Sequence, residues 1–511
     1  MPTDRRLRRN LKTIGLASFV LISLIAAEPS SAEIKTITAT GEYRMGDNDT
    51  RTDAKRLALL EAKRLALEQA GTYLESVTEV KNLGVARDEL NAYTAGIVEV
   101  TELDTKDVLD GATHIIRVEV TAKIDTEVVW RQVDALRKNE TAKTELLRLR
   151  AERDELRQEV EVKTREIVSL KSKSEIKAAS MQRQQVITRS EVVNLLTQAS
   201  GLLFGSGARR AESTPERRTA ARNLIIKALA LEPQHPRGHL LMGVILDDEK
   251  KHKEAVHEFR SALQVASVYG WPAEDVALTH KLLAEALDSA GDRAGAIVEY
   301  RTALKVKPDF APSHIGLARL FLLTGDHSLA ISEARTAVRL EPSNKEAHMI
   351  FGMALQMAGK PTDAIGEYRF ALHLQPDEFL AKIIHINLGR TLGSIRDWIG
   401  AIAEFRIALH LQTDDTKTQA DAHYELGLAL GMTGDYDGAI VELRAALHLR
   451  PNDPLTHHLL SSMLQGKGLR NEEAQELREF LRLAVSSADF ASPDSQAMIE
   501  DARARLRELQ Q

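Results

Sequence analysis

Residues 296–304 read Ala296-Ile-Val-Glu-Tyr300-Arg-Thr-Ala303-Leu304, and the phrase Ala-Ile-x-Glu-(Tyr/Phe)-Arg-x-Ala-Leu keeps returning between about His235 and Phe480. Other copies run Ala255–Ala262, Ala330–Ala337, Ala364–Ala371, Ala401–Ala408 and Ala439–Ala446. The second alanine stands at 262, 303, 337, 371, 408 and 446, at intervals of 41, 34, 34, 37 and 38 residues. Alanine, aromatic and alanine at spacings of four and three form one packing stripe of a helix. A period near 34 is the mark of stacked helix pairs, none of which can bury its apolar side alone.

Twelve residues before each first alanine stands a small residue: Gly243, Ala284, Ala318, Gly352, Gly389 and Gly427. Apolar residues precede it directly and follow it three later, which is one face of a preceding helix A. Glycines at 291, 325, 359 and 434 suit the left-handed turn that closes helix A. Pro308, Pro342, Pro376 and Pro451 close helix B, because proline cannot continue a helix. Matched at the small, apolar, Ala, aromatic, Ala and Pro positions, residues 208–485 resemble the tetratricopeptide repeat family, within a solenoid domain expected over 191–485. The match implies a mainly α fold, an α-solenoid of about seven helix pairs. Ala228-Leu-Ala-Leu-Glu-Pro233 is a partial copy before the array. A degraded copy with His458, Ser462, Ala474 and Phe480 ends it. Residues 486–511 read as a linker and a capping helix along Met498, Ile499, Ala502, Leu506 and Leu509.

The resemblance also implies a concave surface built from helix A that carries the ligand. Its positions fall one and five residues after a recurring histidine (His239, His280, His314, His348, His385, His423, His458). They are Leu240 and Val244, Lys281 and Glu285, Ile315 and Arg319, Met349 and Met353, Ile386 and Arg390, Tyr424 and Leu428. Apolar anchors with two arginines suit an amphipathic or extended protein segment bearing a carboxylate. The alternative is that these positions merely pack within the chain. One histidine per repeat cannot close a zinc site, since neighbouring helices lie roughly 8–10 Å apart and zinc holds imidazole nitrogen at about 2 Å. The histidines read instead as partly buried packing residues, and neither metal nor cofactor is expected. His373, His410 and His448, near the ends of B helices, are cations placed to suit the helix dipole.

Five basic residues, Arg5, Arg6, Arg8, Arg9 and Lys12, precede the apolar run Ile14–Ala27 and then Pro29-Ser-Ser-Ala32. This is an export signal over residues 1–32, cut before Glu33. Fourteen helical residues reach about 21 Å, short of the ~30 Å hydrocarbon core. The mature chain is thus expected in the periplasm without a stable span, an uncleaved inner-membrane anchor being the other reading. Residues 33–130 form a small α+β domain. An alanine-rich helix runs over Thr52–Ala70 and ends at Gly71, Tyr73–Val80 reads as a strand, and Ala86–Thr94 as a short helix. Period-two runs Ile97–Val108 and Thr113–Ile124 join through Asp110-Gly111 as a hairpin. With Thr40-Gly41-Glu42, this pattern resembles the N-terminal module of flagellar assembly protein T and small envelope lipoproteins, without their lipid-bearing cysteine. Residues 131–190 are polar, helical and free of Gly and Pro. A heptad frame places Leu146, Arg153, Val160 and Ile167 at one core position and Leu149, Leu156, Lys163 and Leu170 at the other. That frame suits a parallel two-stranded coil and a homodimer, the alternative being a single solvated spacer helix.

Composition bounds the function. Charge is nearly balanced, with 68 basic and 74 acidic residues, so no electrostatic case exists for nucleic acid. Without cysteine there is no disulfide, thiolate metal site or cysteine nucleophile. No phosphate-binding loop, His-Glu-x-x-His, Gly-x-Ser-x-Gly or Gly-x-Gly-x-x-Gly occurs. The expected function is a non-enzymatic scaffold or adaptor of the bacterial cell envelope that holds protein segments in its groove. Two alternatives stay open: ligand binding by residues 33–130, such as a cell-wall fragment, and a structural dimer or filament.

Overall fold

The computed structural model describes residues 34–46, 49–77, 94, 98–125, 129, 140–170, 172–204, 214–411, 415–485, 490 and 492–510. The export signal, and all but the last residue of the short helix expected over Ala86–Thr94, lie outside them. The chain divides into two compact units, Met1–Leu224 and Ile225–Gln511.

The first unit contains β1 (Ile34–Arg44), α1 (Arg51–Val77), β2 (Glu99–Asp110), β3 (Thr113–Asp125), α2 (Glu140–Ser169) and α3 (Lys173–Phe204). The strands form an antiparallel sheet in the order β1-β3-β2. Asp110 pairs with Thr113 across the hairpin, where Gly111 takes a φ of 66°. Strand alternation sends Ile37 and Ala39 of β1, with Val118, Val120, Ala122 and Ile124 of β3, to one buried face. That face receives α1 along Ala54, Ala58, Ala62, Ala66, Ala70 and Leu74, all fully buried at a spacing of four. Alanine there brings backbone against backbone. A Cβ on Gly41 of β1 would lie 2.1 Å from the Ala58 carbonyl oxygen. The same stripe explains a departure from expectation. The helix continues through Gly71 to Val77, because burial of Leu74 outweighs the ~1 kcal/mol propensity cost of one glycine. The strand expected from Tyr73 is therefore helix as far as Val77, and residues 78–80 lie outside the described residues.

A second departure concerns the heptads. The helix breaks near Ser172 and folds back, so α3 packs along α2 within the chain. Leu149 and Leu156 meet Val193 of α3, Leu146 joins the core beneath the sheet, and Lys163 donates to Gln182 of α3 at 3.3 Å. The seam read as a contact with a second copy is thus filled by the same chain, which satisfies the same apolar spacing. α3 also runs unbroken past residue 190, carrying Val193 against α2, so the boundary expected there falls inside a helix. A buried ion pair locks α3 to the turn after β1. Arg183 donates to Asp49 at 2.6 Å, with the side chains 2% and 6% exposed. The Tyr43 hydroxyl donates to the same carboxylate at 3.0 Å, and burial, then Asp49, pushes its pKa up to about 12.

Helix α4 (Pro215–Leu231) spans the division between the units. Seven helix pairs follow: α5 (Pro236–Asp248) with α6 (His252–Ala266), α7 (Ala273–Ser289) with α8 (Arg293–Val306), and α9 (Ala311–Thr324) with α10 (His327–Leu340). Next come α11 (Lys345–Met357) with α12 (Pro361–His373), α13 (Glu378–Ser394) with α14 (Trp398–His410), α15 (Thr416–Met432) with α16 (Tyr436–Leu449), and α17 (Pro454–Lys467) with α18 (Arg470–Val485). The last helix is α19 (Pro493–Leu509). This is the mainly α solenoid that the repeating phrase predicts. The turns explain themselves locally. Gly291 and Gly434 take positive φ at the end of helix A, and the aspartate beside each caps helix B by accepting from Gly295 N and Gly438 N.

Inside the stack, both alanines of each phrase are buried, and Phe259, Tyr300, Tyr368 and Phe405 lie between the paired helices. The small position of helix A is the seat of that ring. A Cβ on Gly243, Gly352 or Gly389 would come within 2.6–2.7 Å of Phe259, Tyr368 or Phe405. Where Ala284 occupies the position, Tyr300 lies instead over Gly316 of the next pair, 2.3 Å from a would-be Cβ. Where Ala318 occupies it, the aromatic is itself replaced by Ala334.

Candidate functional site on the A-helix wall

Successive A helices touch one another, whereas successive B helices share at most marginal contact, so the stack curves toward its A side. On that side the positions read from sequence separate into two groups. Leu240, Val244, Ile315, Met349 and Ile386 are buried among the helices and face the core. Helix A is sandwiched between its own B helix and the preceding one, which covers more of its circumference than a single amphipathic face implies. Arg319, Met353, Arg390, Tyr424 and Leu428 keep exposed surface, as do Lys281 and Glu285. Sequence reading missed Leu323, Met357 and Met432, which are 56%, 60% and 56% exposed. Each lies four residues beyond a wall position (Arg319, Met353, Leu428), hence on the same helix face. That spacing was the available signal.

Charge crosses the wall between pairs. Arg390 Nε donates to Glu425 of α15 at 2.7 Å, and Lys281 to Glu285 at 2.8 Å within α7. Arg319 of α9 lies 3.9 Å from Glu285 and 4.0 Å from Glu346, touching the pairs before and after its own. Burial first, then Glu425 and Asp453, raises the pKa of the Tyr424 phenol, which therefore stays a neutral donor at any working pH. The wall is thus a band of flexible apolar side chains crossed by ion pairs that a competing carboxylate could enter.

The recurring histidines do more than pack. Each Nδ1 lies against the glutamate of the repeating phrase, nineteen residues on: His239–Glu258, His280–Glu299, His314–Glu333, His348–Glu367, His385–Glu404, His423–Glu442 and His457–Glu476, at 2.5–2.7 Å. In the last pair the repeat histidine is His457 rather than His458, and the small residue is Ser461 rather than Ser462. His458 packs on Phe480, ring centroids 4.9 Å apart. The register slipped because adjacent histidines leave the choice to the helix turn, whereas the +19 spacing to glutamate would have fixed it. Among the described residues no group of three His, Asp or Glu side chains could hold a metal ion.

A second concavity lies within the first unit, an open groove of about 960 Å³ floored by Leu57, Leu60, Leu67 and Val160. Its charged rim is internally paired, Arg64 with Glu61 and Glu68, and Arg153 with Asp154. The hydrogen bond from Arg64 holds the Glu61 carboxyl below its ordinary pKa despite partial burial. No described helix is long and apolar enough to cross a membrane.

Family models for the tetratricopeptide repeat match residues 281–345, 325–379 and 420–453. No curated protein matches the chain. Among solved structures the chain is similar to PilW, described as a widely conserved type IV pilus biogenesis factor, at 17% identity, covering 44% of this chain and 98% of that one with a TM-score of 0.39. It is similar to Pseudomonas aeruginosa PilF at 18% identity, covering 39% and 88% with a TM-score of 0.33. It is also similar to YrrB, described as a repeat protein with an unusual peptide-binding site, at 16% identity, covering 40% and 97% with a TM-score of 0.31.

Proposed function

We propose that this chain, whose residues 281–379 and 420–453 are tetratricopeptide repeats, is a protein-interaction scaffold that holds an amphipathic partner segment against its A-helix wall. One observation carries the reading: Leu323 of α9, Met353 and Met357 of α11, and Leu428 and Met432 of α15 keep apolar surface on one side of the A helices, with Arg319 of α9 and Arg390 of the intervening α13 beside them. Methionine and leucine at a solvent-facing wall gain by meeting a partner's apolar side chains, and methionine adapts to irregular ones. The two arginines give a partner carboxylate a charged anchor once it displaces Glu285, Glu346 or Glu425. Because the helices are already packed, binding orders little of the receptor.

The test is capture of partners by the full chain against an Arg319→Ala/Arg390→Ala/Met353→Ala variant, Arg390 being exposed and Arg319 and Met353 half-buried, with circular dichroism confirming that the variant stays folded. Loss of partners from the variant is expected, and identical partner lists would remove the wall from the reading. Export through residues 1–32 places this work in the cell envelope. Mass spectrometry of protein purified from the native host should find a chain beginning at Glu33, and an intact Met1 would favour the uncleaved anchor. The groove floored by Leu57, Leu60, Leu67 and Val160 supports a variant of the second reading, a ligand site in the first unit that extends beyond residues 33–130 to residues 150–194. A consistent rise in melting temperature with cell-wall fragments would favour it over the wall.

A further inference from the structure

Five residues after its first alanine, each copy of the repeating phrase carries an arginine: Arg260, Arg301, Arg335, Arg369, Arg406 and Arg444, all exposed on the B helices. Four residues further along stand Lys305, Arg339, His373, His410 and His448, also exposed and on the same helix face. No aspartate or glutamate occupies the positions two, five, six or nine residues after the first alanine in any of the six copies. The glutamate that the phrase does carry is turned aside, held by the histidine of helix A. The near-balance of charge over the whole chain conceals this face, because acidic residues elsewhere offset it.

Elsewhere in the array arginines have carboxylates beside them. Arg319 and Arg390 are paired across the wall, Arg293 with Asp288, and Arg450 with Asp421. On the outer face Arg444 has Glu472 of the next pair. Among the described residues, no carboxylate lies within salt-bridge distance of Arg260, Arg301, Arg335, Arg369 or Arg406. Arg335 rests over the Phe351 ring instead, 5.8 Å from its centre. Like charges four residues apart, Arg301 with Lys305 and Arg335 with Arg339, weaken a helix that carries them unneutralised. Apolar side chains stand exposed among these cations: Val298 in α8, Phe370 in α12, and Ile399 and Ile407 in α14.

We propose that this outer face is a second docking surface, and that its occupant is an acidic protein segment with interspersed apolar side chains, laid across α8, α10, α12 and α14. Each guanidinium offers a carboxylate its two-pronged fork, while Val298, Phe370 and Ile407 meet the partner's apolar groups. Two features favour a protein segment over other anions. Apolar side chains among the cations have nothing to meet on a bare polyanion such as polyphosphate. The stack curves toward its A side, so the B side is convex, and a flat bilayer meets only a few of its helices. An extended chain can follow them all. On the A-helix wall an incoming carboxylate must displace Glu285 or Glu425, whereas these arginines have no carboxylate to give up. The inference stands apart from the wall reading, since the two surfaces lie on different helices.

The experiment is fluorescence anisotropy of the full chain with a labelled synthetic peptide of glutamates and interspersed leucines. An Arg301→Glu/Arg335→Glu/Arg369→Glu/Arg406→Glu variant should bind it at least about tenfold more weakly, since exposed ion pairs are individually small but here act together. The same four positions changed to lysine should stay within about threefold of the wild type, and binding should weaken as salt is raised. The Arg319→Ala/Arg390→Ala/Met353→Ala variant should bind the peptide as the wild type does. Loss in that variant alone would assign the peptide to the wall, overturning this proposal and leaving the wall reading intact. Absence of binding, no loss on charge reversal, or tighter association with phosphatidylglycerol vesicles or polyphosphate than with the peptide would also overturn it. Circular dichroism checks the fold, and if the charge-reversed chain does not fold, four Arg→Gln changes take its place with the same expectation.

Discussion

Gly352→Ala adds one methyl group to a helix, a change that ordinarily stabilises by ~1 kcal/mol through propensity. Here the new Cβ would stand 2.7, 2.9 and 3.0 Å from Cε1, Cδ1 and Cζ of Tyr368. The ring is fully buried and its hydroxyl donates to Gln356 at 2.9 Å, so it has no room to retreat. Overpacking of this kind costs about 1–3 kcal/mol, which cancels the propensity gain and leaves a net loss of up to about 2 kcal/mol. The chain itself contains the compensated arrangement, Ala318 facing Ala334 where Gly352 faces Tyr368. In a Tyr368→Ala background, itself costing about 3–5 kcal/mol, the clash is gone and Gly352→Ala should become stabilising. The two changes should therefore couple by about 2 kcal/mol. Urea unfolding of the full chain, followed by circular dichroism at 222 nm with the repeat transition compared between the four proteins, measures this. A Gly352→Ala effect of equal size and sign in both backgrounds would refute the claim that the small position exists to seat the ring.

Other outcomes follow from the buried charges. Asp49→Ala strands the Arg183 guanidinium and should destabilise the first unit by about 3–5 kcal/mol, read as an early loss of its thermal transition while the repeats melt unchanged. Arg505 holds the buried Glu473 through two hydrogen bonds, at 2.7 and 3.3 Å, so Arg505→Ala should speed amide exchange across α19 while leaving α11–α14 unaltered. The glutamate hydrogen bond outweighs burial and raises the pKa of His239. At His457 burial opposes the charge more strongly, but Glu476 and Pro451 still raise it. Stability from these two His–Glu pairs is therefore complete below the unfolded value near 6.5 and is lost as pH climbs through the raised folded value. Stability should fall between pH 6.5 and 8.5 by at most about 1.4 kcal/mol per pair per pH unit, read as a falling melting temperature, and a rise over that window would contradict the ion pairing at His239 and His457.

What the sequence yielded tracks what is local. The phrase around Ala296 and Tyr300 specifies one helix face, one turn and one partner, and the pairs form where it recurs. The wall was harder. Ile315 and Arg319 are both surface residues on a helical wheel, and only the neighbouring B helix decides that Ile315 is covered. Leu323 and Met357, by contrast, needed no neighbour, only one more turn of the same wheel. The fold-back near Ser172 had no breaker to announce it, since the whole stretch from 131 to 190 lacks Gly and Pro. Heptads report that Leu149 and Leu156 need company, not whether it comes from another molecule. Glu299 and its counterparts were quoted in every copy, yet their role depends on a histidine nineteen residues away, beyond any single-helix pattern.

The helix that closes the array has a consequence for assembly. Ile499 and Ala502 already lie over Leu477 and Phe480, with Phe490 beside them, and Arg505 clamps Glu473 from above. A solenoid is a ladder open at both ends unless something seals it, and here that end is roofed. Fibres grown by stacking copies head to tail cannot use this face without first peeling α19 away, at the expense of a buried carboxylate left bare. End-on growth through this face would thus have to overcome the burial of Ile499 and Ala502 first, whereas Met357 on the A-helix wall is exposed already.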